Sequence, residues 1–404
     1  MKTKNLPKRN LKLALFGFPD SGKTTYGQKV AKIIIKKNTL ESFRNITIKI
    51  NVVYCNFYFC KNCKKIYRNK NCQIVDHDTK LLELDLVDNA GHSHLMHNTV
   101  LTLNYIDLPL LIISTVEKEY QEKNVLTFLE LFKFHQFKEL VIILTKVDLV
   151  TNQQVFKTKN KVENILKNYS FKVLILPSSI SSSIEIATLL SFCYRFKNFR
   201  TRELVTKSKF FFEVFKSFNV NRLAQPIESL KGPIIGGITL SAGTNFNTDK
   251  MEIFYKNLQD YSPCPIRLLK TLSFKTLKNR LTDVKDIASN RFFTAELDLE
   301  PSIGNNDNLC GLILTSAKED ILPLRQIFLK IVYNFSEFSL KTGQVLLLVI
   351  RNNKFLAQIT KVKNRQCSIK LDKNYYRIFK NEKVVLFKKV NHFLSLFGLA
   401  LEIS

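Results

Sequence analysis

Short apolar, β-branched runs of strand length recur through the first half of the chain: Leu11 to Phe16, Leu82 to Val87, Leu108 to Ile113, Leu140 to Leu144 and Val173 to Leu176. Between them lie longer stretches with apolar residues at helical spacing, such as Thr25 to Lys36 and Val125 to Phe137. That alternation predicts helices packed on a mainly parallel sheet. Beyond about Thr201 the helical period gives way to short runs separated by turn residues: Phe210 to Phe218, Ile234 to Leu240, Met251 to Phe254, Phe292 to Leu297 and Gly311 to Thr315. A further group covers Ile327 to Phe335, Val345 to Ile350, Phe355 to Val362, Cys367 to Leu371, Lys383 to Phe387 and Phe393 to Ile403. Spacing of this kind predicts two small antiparallel β-barrels. The expected domains are therefore 1–200, 201–322 and 323–404, with no internal repeat and no low-complexity linker.

Length agrees with this division, since 404 residues exceed what one hydrophobic core usually holds. The formal net charge of +28 is spread along the chain and sets up a field that attracts polyanions such as RNA. Abundant Lys, Asn, Phe and Ile beside scarce Gly is also what an AT-rich genome imposes, so base composition competes as a source of that charge. It hints at a reduced genome, that of an endosymbiont or parasite. No apolar run approaches the roughly 18 residues that span a bilayer. The basic N-terminus (Lys2, Lys4, Lys8, Arg9) leads straight into a strand without a cleavage site, so the expected compartment is the cytoplasm.

Three segments carry chemistry. Gly17-Phe-Pro-Asp20-Ser21-Gly22-Lys23-Thr24-Thr25 contains G-x-x-x-x-G-K-T between an expected strand and an expected helix. In such a loop the backbone N–H groups cup phosphates, Lys23 reaches the β and γ oxygens, and the Thr24 hydroxyl takes Mg²⁺. Asp88-Asn-Ala-Gly91-His92 follows the strand ending at Val87, where a carboxylate holds the magnesium shell and a glycine N–H senses the γ-phosphate. An ordinary Asx turn would look the same in isolation. Thr145-Lys146-Val147-Asp148 ends another strand. Asp148 can accept both N1–H and the exocyclic amine of guanine while the Lys146 stem lies over the base, which selects GTP. Ser179, followed by Ile180, offers backbone N–H to the guanine O6. Together the segments predict an α/β P-loop GTPase domain followed by the two barrels.

Eight cysteines are present, and four crowd one stretch as Cys55-x₄-Cys60-x₂-Cys63-x₈-Cys72. Four soft ligands in an expected loop over about 54–74 suit a tetrahedral Zn²⁺ site. Interleaved Lys61, Lys64, Lys65, Arg68 and Lys70 would favour thiolates there. Four free thiols are the competing reading. Cys193, Cys264, Cys310 and Cys367 read as buried fillers.

In their order these residues resemble the gamma subunit of eukaryotic and archaeal translation initiation factor 2. Arg44-Asn-Ile-Thr47-Ile-Lys49 resembles its switch I, Gly91-His92-Ser-His-Leu95-Met96 its G-H-x-x-L-M segment, and the cysteine loop its zinc knuckle. Ser217-Phe-Asn-Val-Asn221, Leu230-Lys-Gly232-Pro-Ile-Ile-Gly236-Gly237, Glu300-Pro-Ser302 and Asp307-Asn-Leu309-Cys-Gly311 look like segments of its second domain. Phe397-Gly398 is similar to its final G-W-G.

The resemblance implies a GTPase that carries initiator methionyl-tRNA to the small ribosomal subunit. It also implies alpha and beta subunits, an exchange factor and a GTPase-activating factor as partners, and slow hydrolysis without the activator. Thr47 would close on Mg²⁺, His92 would orient the attacking water, and Asp20 falls where some relatives place a carboxylate at a second Mg²⁺. Three departures stand out: Ala90 replaces Pro, Ile180 replaces Ala, and Thr145 replaces an Asn whose amide braces the phosphate loop. The hydroxyl of Thr145 is therefore expected to weaken base affinity or selectivity. Competing readings are an elongator-type or selenocysteine-specific GTPase, a non-hydrolysing RNA-binding scaffold, and a P-loop ATPase. Leu95-Met96 and the cysteine loop oppose the first, the intact phosphate residues the second, and Asp148 the third.

Overall fold

The computed structural model describes residues 9–31, 51–60, 66–67, 79–92, 95–116, 120–181, 184–197, 210–221, 225–226, 229–240, 246–247, 253–256, 264–266, 268–273, 282–283, 286–287, 292–316, 323–335, 339–390 and 393–403. They form two compact units, Met1–Thr201 with Val390–Ser395, and Arg202–Lys389 with Leu396–Ser404.

The first unit is built on seven strands: β1 (Arg9–Phe16), β2 (Asn51–Cys60), β3 (Ile66–Tyr67), β4 (Thr79–Asp88), β5 (Leu108–Ser114), β6 (Glu139–Thr145) and β7 (Lys172–Pro177). Their order in the sheet is β3-β2-β4-β1-β5-β6-β7. Strands β4, β1, β5, β6 and β7 run parallel, and β2 pairs antiparallel with β4 from Asn51↔Asp88 to Cys60↔Thr79. Every residue of β5 and β6 is buried, as continuous apolar runs require when helices cover both faces of a parallel sheet.

Among the described residues five helices accompany the sheet: α1 (Lys23–Ala31), the single turn α2 (Met96–Thr99), α3 (Glu122–Phe134), α4 (Asn152–Leu166) and α5 (Ile184–Arg195). Helix α3 buries Val125, Phe128, Leu129 and Phe132, an i, i+3, i+4, i+7 stripe. Phe16 on β1 meets the rings of Phe128 and Phe132 at 5.8 and 5.1 Å. The Thr151 hydroxyl caps α4 by accepting the Gln154 N–H at 3.3 Å.

The expected loop over 54–74 is corrected at its start, where residues 51–60 form β2. Asn-Val-Val-Tyr-Cys-Asn-Phe-Tyr-Phe-Cys is rich in β-branched and aromatic residues, and that pattern prevails over the cysteine spacing.

In the second unit an eight-stranded antiparallel sheet is made of β8 (Phe211–Phe218), β9 (Ile234–Thr239), β11 (Ile253–Lys256), β12 (Cys264–Ile266), β13 (Leu268–Ser273), β14 (Thr282–Asp283), β16 (Phe292–Leu297) and β17 (Ile313–Thr315), while β10 (Phe246–Asn247) pairs with β15 (Asp286–Ile287). Six strands then close a barrel in the order β18-β21-β20-β19-β22-β23: β18 (Pro323–Asn334), β19 (Val345–Ile350), β20 (Asn353–Lys363), β21 (Gln366–Tyr376), β22 (Lys383–Val390) and β23 (Phe393–Ile403). The β19–β20 hairpin tip docks on β8. Asn352 donates to the Val214 carbonyl at 2.9 Å, and Arg351, 1% exposed, pairs with Glu213 at 3.4 Å and with Glu382.

Candidate nucleotide site

The phosphate loop leaves β1 between β4 and β5, so both neighbouring strands end beside it. Gly17 opens the loop at φ +147°, and a Cβ there would lie 2.5 Å from the Ile112 carbonyl oxygen, a position only glycine fills without strain. Exposed Asp20 takes φ 58°, and Ser21 is buried. Lys23 begins α1 with only 7% of its surface exposed, and its ammonium donates to the Phe18 carbonyl at 2.6 Å. Burial lowers its pKa from 10.5 to about 8, and the negative charges of Asp88 and Asp20 oppose that shift. A lysine held this way is ready to exchange a carbonyl for a phosphate oxygen.

Parallel pairing of β1 with β4 sets Leu15 beside Asp88, which delivers the carboxylate to the start of α1. The Thr24 hydroxyl donates to Asp88 Oδ2 at 2.9 Å. Two hard oxygen donors this close, at the mouth of a phosphate loop, fit a magnesium ion that takes few protein ligands and completes its shell with phosphate and water. The next residues are anchored from behind. Asn89 donates to the Thr102 hydroxyl at 3.1 Å, and the Thr99 hydroxyl donates to the Ala90 carbonyl at 2.7 Å. With Ala90 in place of Pro, these side-chain bonds hold the turn. They bring Gly91 so near the loop that a Cβ on it would lie 2.3 Å from Lys23 Nζ and 3.2 Å from the Phe18 carbonyl carbon. Half-buried His92 follows, its carbonyl accepting the Leu95 N–H at 2.9 Å.

Beside the phosphate loop β6 stops at Thr145, whose hydroxyl donates to the Ser21 carbonyl at 2.6 Å and lies 3.2 Å from the Ile113 carbonyl. The phosphate loop is thus braced by a hydroxyl at the position where the usual guanine motif has an amide. Lys146 turns the chain at φ 61°, and Asp148 emerges exposed in the 3₁₀ turn Val147–Leu149. A neighbouring loop, Ser178 to Ile180, is tied to this turn by Val147 N–H to the Ser178 carbonyl at 3.5 Å and to β6 by Ser178 N–H to the Leu144 carbonyl at 2.8 Å. Exposed Thr25 lies on the first turn of α1.

Of the expected site residues, Gly17, Asp20, Ser21, Gly22, Lys23, Thr24, Asp88, Gly91 and Thr145 converge on the phosphate loop. Lys146, Asp148, Ser179 and Ile180 lie on the two loops that follow β6 and β7. Thr47, Cys63, Cys72 and the side chain of Cys60 lie outside the described residues. Cys55, expected as a zinc ligand, lies 2% exposed in the core among residues such as Val53, Phe57 and Leu84. Among the described residues no cluster of His, Cys, Asp and Glu is arranged to hold a metal. Sequence reasoning missed Thr99, Thr102, Lys29 and Glu185, whose partners lie in other segments and leave no local pattern.

A phosphate loop at the end of β1 and an exposed carboxylate in the turn after β6, on a parallel-rich sheet, fit a GTP-binding domain. Residues 8–198 match the family described as elongation factor Tu GTP binding domain, and this part of the chain is a GTPase domain. Over nearly its whole length it is similar to gamma subunits of translation initiation factor 2. It is 24% identical over 399 residues to that subunit from Sulfurisphaera tokodaii, covering 94% of each chain. To the eukaryotic subunit from Encephalitozoon cuniculi it is 24% identical over 422 residues, covering 96% of this chain and 91% of the relative. In fold it is similar to a bacterial selenocysteine-specific elongation factor, with a TM-score of 0.71 at 16% identity, covering 98% of this chain and 58% of that one.

Two outcomes follow from this geometry. Thr145→Val keeps the shape of the side chain and removes the donor to Ser21, a loss of about 1 kcal/mol that weakens GDP binding roughly fivefold. Titration with a fluorescent GDP analogue reads it, and unchanged affinity would show that the hydroxyl does not brace the loop. The second concerns pH. Phosphates bind the ammonium form of Lys23, so as pH rises through about 8 the contribution of Lys23 to affinity is lost. The expected GDP dissociation constant rises about tenfold between pH 7 and 9, with a flat profile in Lys23→Met. The unfolded lysine keeps its proton to about 10.5, so below pH 8 the buried charge opposes folding and the opposition eases from pH 8 to 10.5.

Proposed function

We propose that this chain is a translation-initiation GTPase that binds initiator methionyl-tRNA in its GTP state and brings it to the small ribosomal subunit. It would act with alpha and beta subunits and release its cargo on hydrolysis. The single observation that carries the switch is the close approach of Gly91 to Lys23: the segment that would read the γ-phosphate already lies on the lysine that would hold it. The initiation role is supported by similarity to initiation-factor gamma subunits over 94% of the chain.

In the proposed mechanism Lys23 leaves the Phe18 carbonyl for the β and γ oxygens of GTP. Thr24 and Asp88 would hold Mg²⁺, joined by Thr47 and, at a second ion, Asp20. When bound, magnesium neutralises charge that develops on the phosphate oxygens. The Gly91 N–H meets the γ-phosphate, so its departure frees the segment carrying His92. His92 orients a water that attacks the γ-phosphorus as the bond to the β–γ bridging oxygen breaks, leaving GDP and phosphate. Lys146 covers the base while Asp148 accepts its N1–H and amine.

Domain limits of 1–200, 201–322 and 323–404 accompany this reading, the first for the nucleotide. The net charge of +28 suits an RNA cargo. An exchange factor and an activating factor complete the cycle.

Titration of the GTP-loaded chain with initiator and elongator methionyl-tRNA tests the proposal. Initiator tRNA is expected to bind at least tenfold more tightly. Equal affinity, or preference for the elongator, contradicts the initiation role.

A further inference from the structure

Lys29 lies on α1, two turns beyond the phosphate loop, and its side chain is 15% exposed. Its ammonium donates to the Ser179 carbonyl at 2.6 Å and the Ser178 hydroxyl at 3.1 Å, and it pairs with Glu185 at the start of α5. Glu185, 5% exposed, also accepts from the Ser178 hydroxyl at 2.7 Å. All three ammonium hydrogens are therefore committed, and two of them go to the loop at the base-facing end of the cleft.

The consequence lies in one peptide plane. The carbonyl of Ser179 and the N–H of Ile180 belong to the same trans unit, so they point in opposite directions. Fixing the carbonyl on Lys29 fixes the N–H on the far side of the plane. A cation on the carbonyl also polarises the unit and strengthens its N–H as a donor. The adjoining Ser178 is bound to the Asp148 turn through Val147 and to β6 through Leu144, so the plane is held against the residues that would meet the base.

We propose that Lys29, kept in place by Glu185, is a positioning residue for guanine recognition: it sets the Ser179–Ile180 peptide so that its N–H meets the 6-oxo group of the base. The inference rests on the guanine-nucleotide reading above and adds a residue to it. It also joins the two ends of the cleft, because the helix that begins with Lys23 carries the lysine that orients the base loop. This gives a physical reason why Ile180 is tolerated where Ala is usual: the contact comes from the backbone, and the Ile180 side chain is 77% exposed.

The test compares GDP with 2-aminopurine riboside diphosphate, which has the same phosphates and no 6-oxo group, on the full 404-residue chain. For the parent protein GDP is expected to bind much more tightly. In Lys29→Met, GDP affinity is expected to fall about tenfold while affinity for the 2-aminopurine nucleotide stays unchanged, so discrimination drops tenfold. A general structural defect would weaken both equally, and that result overturns the proposal, as does unchanged discrimination. Should Lys29→Met fail to fold, Glu185→Gln answers the same question. It leaves Lys29 able to reach Ser179 without the carboxylate that holds it there, and discrimination is expected to fall about threefold, with no change overturning the proposal. A parent protein that does not prefer GDP over the 2-aminopurine nucleotide contradicts the guanine-nucleotide reading itself.

Discussion

A buried ammonium, Lys23, governs the first unit. It lies at 7% exposure with a backbone carbonyl as its nearest acceptor and a glycine pressed against its head. Charge in such a place is costly unless it is paired, and Asp88 and Asp20 compensate in part, leaving the pKa near 8. A triphosphate would supply the missing negative charge, which is why the same residues that strain the free site suit it for an anion. Around this group the other features fall into place: Gly17 permits the turn, Thr24 and Asp88 set their oxygens side by side, and Gly91 leaves room for nothing larger than hydrogen.

The phosphate-loop region is joined to the ends of β6 and β7 by side chains from unrelated segments. Thr145 ties the end of β6 to the phosphate loop, and Lys29 ties α1 to the loop of Ser178 and Ser179. Neither bond uses the amide found at the first position of the usual guanine motif. A short hydroxyl does the bracing because β5 and β6 pair in register at Ser114↔Thr145, which holds Thr145 close to Ser21. The departure from the family pattern is thus a change of donor with the contact to the loop retained.

Much of the fold was legible in the chain, for reasons that differ by element. Strands β5 and β6 are continuous apolar runs, and Val345 to Ile350 and Phe393 to Ile403 match β19 and β23. Strand β21 runs five residues past the expected Leu371 because its polar end is satisfied by tertiary contacts, with buried Asn374 accepting from Arg325 at 2.8 Å. Strand β2 was hidden by its cysteines, whose spacing suits a metal-binding loop, although its β-branched and aromatic residues favour a strand. The phosphate-loop and guanine segments were readable because their chemistry is local. Lys29 and Glu185 lie 156 positions apart, and no local pattern announces a pair of that kind.

The central claim is that Lys23 is stored on a carbonyl and released to a phosphate. A crystal structure of the chain with magnesium and a non-hydrolysable GTP analogue tests it directly. The account predicts the Lys23 ammonium moved off the Phe18 carbonyl onto the β and γ oxygens, with the Gly91 N–H on the γ-phosphate. An analogue bound elsewhere, or a lysine still on the Phe18 carbonyl, would contradict it.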